Sequence, residues 1–169
     1  MADLTRGRVI AKVRAGESLE GADLSGLDIT GANLSSGDLK RANLKGANLT
    51  GAYLTGTHLE GASLERADLK SARLRSANLS EANLSGAKLI RTDMSGANLS
   101  GANLSDANLS DANLWKANLT GANLLHANLT RALMAMANLK DANLKLADLT
   151  DTKLIKAELT DTILPEGFE

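Results

Sequence analysis

Residues 96–115 read GANLSGANLSDANLSDANLW. Ala-Asn-Leu plus two small or polar residues come round four times, and Trp115, the single tryptophan of the chain, ends the run where a serine stood before. Outward from this stretch the leucine keeps a five-residue beat from Leu19 to Leu164. Of its thirty positions, twenty-seven are Leu and the others are Ile29, Met94 and Met134. The position two before it, from 22 to 162, is Ala in twenty-three of twenty-nine beats; the exceptions are Leu27, Gly37, Thr57, Thr92, Thr152 and Thr162. The residue between them is mostly polar and holds all fourteen asparagines. The frame never slips, so no loop is inserted.

A helix does not suit this beat. At 3.6 residues per turn, a step of five rotates each leucine by about 140°, which smears the apolar side chains around the cylinder. Asn and Gly are also poor helix formers. Ala-x-Leu instead reads in–out–in, the alternation of a strand. Two further residues break the alternation in every beat, and they are Ser, Thr, Gly, Asp and Arg, several of which favour turns. The pattern predicts short extended segments joined by corners, wound into a coil whose turns stack as parallel strands about 4.8 Å apart.

The A-[DN]-L-x-x pattern, unbroken in ANLSGANLSDANLSDANL at 97–114, resembles the pentapeptide repeat family, and the resemblance covers residues 19–164. It implies an all-β fold, a right-handed quadrilateral parallel β-helix with four pentapeptides per coil. Thirty beats then give about 7.5 coils and a rod roughly 36 Å long. Each inward Leu contributes about 1.5–3 kcal/mol on burial. Coils touch only their neighbours, so the ends need covers. Residues 1–18 are read as an amino-terminal cap: Thr5 N-caps a short helix over 6–15, Gly16 ends it, and Val9, Ile10 and Val13 share the covering face. Residues 165–169 form a carboxy-terminal tail.

Composition excludes more than it proposes. Nineteen basic and twenty acidic residues leave a net charge of −1, too little to draw in nucleic acid or an anionic membrane from a distance. There is no cysteine, hence no disulfide, thiolate metal site or cysteine nucleophile. The opening MADLTRGRVIAKVRAG lacks the apolar run of a signal peptide, and no stretch approaches a membrane span. A cytoplasmic protein is expected. His58 and His126 stand far apart in the repeat, and no nucleophile–base–orienter set, phosphate loop or metal-ligand spacing is visible. The reading is non-enzymatic, with no cofactor and no metal.

Binding is the better class. With twenty residues per coil, as the resemblance implies, side chains twenty apart stack in columns. One column runs Ser35, Thr55, Arg75, Ser95, Trp115, Ala135, Ile155; beside it run Asn113, Leu133, Lys153 and Lys116, Met136, Lys156. Trp115, Leu133, Ala135, Met136 and Ile155 thus form one outward apolar patch, of the kind that marks contact surfaces. Lys70, Arg73, Arg75, Lys88 and Arg91 cluster near mid-rod, but Asp68 and Asp93 interleave with them. A column of Thr30, Thr50, Thr130 and Thr150 is interrupted by Lys70 and Ile90, which argues against an ice-binding ladder.

The leading expectation is a rigid protein–protein interaction or scaffold module whose partner is another protein. RVIAKVRAGESLEGADLSG at 8–26 is similar to bacterial pentapeptide repeat proteins. The alternative carried by the family is a DNA mimic that binds DNA gyrase and protects it from quinolones. Such a mimic needs rows of negative charge, because duplex DNA carries one per about 1.7 Å. Here Asn stands where Asp would supply charge, and the column Asp111, Arg131, Asp151 alternates in sign. At the carboxy-terminal end, where strand edges are open, Ile163 and Phe168 are apolar. Either the tail folds back with Phe168 over the last Leu layer, or two copies meet and bury Ile163 and Phe168 in a two-fold contact. The family resemblance favours this homodimer through the carboxy-terminal coil.

Overall fold

The computed structural model describes residues 4–168. The first three residues of the expected cap and the last of the expected tail lie outside them. One helix, α1 (Arg6–Arg14), precedes a coil that is otherwise turns and single β-bridges. Thr5 is extended at the N-cap and accepts from the Arg8 N–H. α1 stops one residue earlier than expected: Ala15 is its C-cap, and Gly16 follows at φ 71°.

From Asp23↔Asn43 to Asn143↔Ile163, every bridge is parallel and joins residues twenty apart. The bridges fall on the middle residue of each beat. Its N–H donates down the stack and the following leucine N–H donates up, as where Asn98 donates to the Ala77 carbonyl (2.9 Å) and Leu99 to that of Asn118 (2.7 Å). The beat's Leu and Ala point inward and are almost all fully buried between residues 29 and 147. The narrow interior is a Leu–Ala stack with no aromatic residue in it.

Corners explain the two remaining letters. The Ala102 N–H closes a turn onto the Leu99 carbonyl (3.0 Å), with Gly101 at φ 65°. The second corner residue adopts this left-handed conformation in every beat, whether Gly or not; Asp106 (57°) and Met136 (59°) do the same. The first corner residue has an N–H that no backbone carbonyl reaches, and the Asn or Asp two residues before it accepts there: Asn98 Oδ1 takes the Ser100 N–H at 3.2 Å. Asparagine also donates sideways. Asn118 Nδ2 bonds Asn98 Oδ1, and Asn98 Nδ2 bonds Asn78 Oδ1. An Asn in the middle of the beat therefore serves its own corner and the next coil at once.

Five of the six breaks in the Ala column have a local cause. Leu27 and Gly37 lie in the first coil. A Cβ on Gly37 would stand 3.2 Å from both Val13 methyls and 3.0 Å from the Leu34 carbonyl oxygen, so glycine admits α1 there. Thr57, Thr92, Thr152 and Thr162 each donate their hydroxyl to a carbonyl twenty-three residues back, on Leu34, Leu69, Leu129 and Leu139, at 2.8–2.9 Å. A buried hydroxyl so paired is tolerated in an apolar stack.

The two ends differ. Val9 is fully buried under α1, with Leu4, Ile10 and Val13 partly buried beside it. The Arg6 guanidinium bonds the Thr30 carbonyl of the first coil at 2.9 Å. At the other end Leu149, Leu154, Leu159 and Leu164 remain partly exposed.

Candidate functional site

The twenty-residue register puts the predicted patch together. Leu133 bridges both Asn113 and Lys153. The Lys116 N–H donates to the Ala135 carbonyl (3.1 Å), and the Met136 N–H to that of Ile155 (2.9 Å). Trp115, Leu133, Met136 and Ile155 are 45%, 48%, 45% and 68% exposed. Ala135 is the small member of its column, and Trp115, Leu133, Ala135 and Ile155 line one shallow cleft with Arg75, Asn113 and Lys153 at its edges. Trp115 is held on both sides: Asn113 Oδ1 accepts its backbone N–H (3.1 Å), and Lys116 Nζ lies 4.3 Å from its ring centroid.

The charges around this cleft divide into spent and unspent. Arg131 forks onto Asp111 with bonds of 2.7 and 2.8 Å. Those bonds hold the Asp111 carboxyl below its ordinary range and raise the guanidinium's value. Burial pushes Asp93 upward, but bonds from Arg75 and Ser95 outweigh it and leave the group lowered. Among the described residues, Lys116, Lys153 and Lys156 have no carboxylate within ion-pair distance, whereas Arg75 and Arg131 do.

The backbone at the cleft differs from that of its neighbouring beats. From residue 95 to residue 160, the first-corner N–H is accepted by an Asn, Asp or Glu side chain in every beat but two. The two are Ala135 and Ile155, where Leu133 and Lys153 have replaced the acceptor. Leu133, which adds to the apolar surface, and Lys153 each leave a corner N–H without the side-chain acceptor, as Tyr53, His58, Arg73 and Lys88 do in the first half of the chain. The signal was present in the letters, as non-Asx residues at 133 and 153, but its meaning needs the Asn–corner bond.

The other sequence-marked residues go elsewhere. Leu125 is half-buried, and Leu146 is exposed at a left-handed corner (φ 61°); both lie on other columns. The mid-rod basic cluster is largely neutralised: Lys70 and Lys88 flank Asp68, Arg75 pairs with Asp93, and Arg73 lies over the Tyr53 ring at 4.7 Å. His58 sits 3.4 Å from Glu60. No group of three or more His, Cys, Asp or Glu is placed to hold a metal among the described residues, and no helix there is long and apolar enough to cross a membrane. Ile163 is 55% exposed beside Asn143, and Phe168 turns back through a bond to the Pro165 carbonyl, so that the tail lines a shallow cleft with Ala147 and Leu149.

Comparison with known proteins fits this architecture. A search of curated proteins finds no match. Among solved structures, the pentapeptide repeat protein Rfr23 from the cyanobacterium Cyanothece 51142 is 41% identical over 54% of this chain, with a TM-score of 0.53; the chain spans 63% of its length. HetL from Nostoc sp. strain PCC 7120, a pentapeptide repeat protein involved in heterocyst differentiation regulation, is 28% identical over 98% of this chain and 99% of its own, with a TM-score of 0.32. QnrB1, a plasmid-mediated fluoroquinolone resistance protein, is 21% identical over 95% of this chain and 88% of its own, with a TM-score of 0.39. The family described as pentapeptide repeats matches in eight copies between residues 16 and 164. With its five-residue beat, its parallel bridges and this match, the chain belongs to the pentapeptide repeat family.

Proposed function

We propose that this chain is a non-catalytic, rigid interaction module that docks another protein on the face formed by Trp115, Leu133, Ala135, Met136 and Ile155. One observation carries the reading. Four large apolar side chains stand exposed together on columns whose other members, Tyr53 apart, are polar or small, and contiguous exposed apolar surface of this kind marks contact sites. Met136 strengthens it. A long apolar side chain in a left-handed corner is costly on two counts, conformation and exposure, and a contact that covers it offsets the second.

The same reading takes the coil as right-handed and square in section, with about 7.5 turns; the spacing of twenty between bridged residues supports four beats per turn. It divides the chain into a cap at 1–18, the repeat at 19–164 and a tail at 165–169. It takes the compartment to be the cytoplasm, which cell fractionation decides. A second contact, between two copies through Ile163, Phe168 and the partly exposed last leucines, is supported by their exposure.

Photocrosslinking in the native host tests the docking face. A photoreactive residue at position 135 captures a discrete partner. The Trp115→Ala, Ile155→Ala variant loses that product while a probe at position 65, on a distant column, captures none. Equal capture by the variant rejects the reading. In a gyrase supercoiling assay with a quinolone, the chain is expected to give no protection, because the net charge is −1 and Arg131 pairs with Asp111 in the column that Asp151 continues.

A further inference from the structure

We propose that the partner of the Trp115 face is an acidic amphipathic segment, one large apolar side chain flanked by carboxylates. This rests on the docking reading above and adds the chemistry of the occupant. Two sets of groups define that chemistry, and they interleave on one surface.

The first set is steric. Trp115, Ala135 and Ile155 stack in one column, large–small–large, with Leu133 beside the gap. The gap over Ala135 is about the length of one coil step on either side, roughly 5 Å, since stacked strands lie that far apart. It takes one leucine- or phenylalanine-sized side chain and not a continuous apolar sheet.

The second set consists of donors without acceptors. Among the described residues, the ammonium groups of Lys116, Lys153 and Lys156 have no carboxylate within ion-pair distance, whereas the guanidiniums of Arg75 and Arg131 do. The Ala135 and Ile155 N–H groups lack the side-chain acceptor that serves the equivalent group in each of the other twelve beats from 95 to 160. Lys153 and the two residues that carry these backbone donors line the notch itself, while Lys116, which lies against the Trp115 ring, and Lys156 stand on the adjacent column. Carboxylates answer both kinds of donor and form the stronger, charge-assisted bonds. A cationic or purely apolar segment leaves the donors unanswered, which costs affinity on docking. The complementary partner carries acceptors on both sides of its apolar residue.

Trp115 makes the test direct, because it is the only tryptophan and its emission reports this site alone. The full chain is titrated with tryptophan-free decapeptides that alternate leucine with glutamate, glutamine or lysine. The glutamate peptide blue-shifts the emission and binds at least tenfold more tightly than the glutamine peptide at low salt, and the advantage shrinks with added salt. The lysine peptide gives no shift. In the Lys116→Glu, Lys153→Glu, Lys156→Glu variant the order reverses. Ala135→Phe, which fills the notch without changing charge, removes the response to every peptide, while its circular dichroism and melting stay those of the parent chain. Equal binding of the glutamine or lysine peptide overturns the acidic assignment and leaves the docking face standing; no shift with the glutamate peptide overturns it too. Failure of the docking reading itself shows separately, as unchanged crosslinking in the Trp115→Ala, Ile155→Ala variant.

Discussion

The two ends of the stack are built from the same letters and reach different states. At the amino-terminal end α1 lays Val9 over the first coil, and Leu19, Leu24, Ile29 and Leu34 are at most 2% exposed. At the carboxy-terminal end Leu149, Leu154, Leu159 and Leu164 occupy the equivalent places and none is fully buried. The difference teaches that the beat itself only supplies inward side chains. Burial of a layer needs something above and below it, and nine helical residues do for the first coil what four tail residues do only partly for the last. The open end also displays the upward-facing N–H groups of its last leucines, and unpaired strand edges invite pairing.

The largest expected effect sharpens this contrast within the core. Leu104→Ala, between complete layers, costs about 2–5 kcal/mol, because a rigid narrow stack does not collapse onto the cavity. Leu159→Ala, in the open layer, costs clearly less. Urea denaturation of both variants checks it; equal midpoint shifts would mean that the last layer is covered in solution. A dimer through that end predicts such an equality, so the assembly state is measured alongside. Light scattering over a hundredfold dilution is expected to show a dimer that becomes a monomer in the Ile163→Asp, Phe168→Asp variant. A constant mass near 17.6 kDa at every concentration rejects the dimer and leaves the folded-back tail as the cover.

Smaller effects separate buried from open hydroxyls. Thr57→Val keeps the shape and removes the bond to the Leu34 carbonyl, which still accepts the Gly37 N–H. The expected cost is about 1 kcal/mol. Thr162→Val, at the half-open end, costs less, and thermal melting of the pair reads the difference. If Thr57→Val melts with the parent chain, the hydroxyl is a tolerated guest and not a tie between coils.

The smallest effect is acidity. The Asp23, Asp28, Asp148 and Glu158 carboxyls lie below their ordinary values, mainly through bonds from the hydroxyl of the first corner residue, then from its N–H. The folded chain therefore binds fewer protons than the unfolded one at mildly acid pH. Stability from these groups is present at neutral pH and falls as pH drops through about 4 and below. All four are fully exposed, so the melting temperature is expected to decline gently across this window. A rise on acidification would contradict the assignment.

Most of the fold was legible because it is periodic. A leucine every five residues with an alanine two before it states which side chains face in, and Thr5 and Gly16 marked α1 to within one residue. The roles of single letters were less legible. Asn reads as merely polar until its Oδ1 is seen on the corner N–H, and the four threonines in the Ala column read as slips until each is found bonded to a carbonyl twenty-three residues earlier. The glycines carry the corner geometry in their spacing: between Gly21 and Gly121 all but Gly37 stand second in the corner, the one place where φ is positive. At the candidate site the residues followed from the column spacing. The notch and its orphaned donors did not, because they depend on what Leu133 and Lys153 fail to do for their neighbours.

The spacing of twenty has a consequence for how such a surface arises and is lost. Removing one beat, such as residues 121–125, leaves a Leu over every Leu and an Ala over every Ala, so folding is little disturbed. Outside, everything downstream is re-indexed by one beat against the coil before it. Leu133 would then bridge Asn108 instead of Asn113, and Ala135 and Ile155 would leave Trp115 behind on another side of the rod. A single in-frame duplication or loss can thus redeal a whole recognition surface in one step, with no intermediate that must fold badly. Selection on such a chain acts on the count of beats between two residues as much as on the residues themselves.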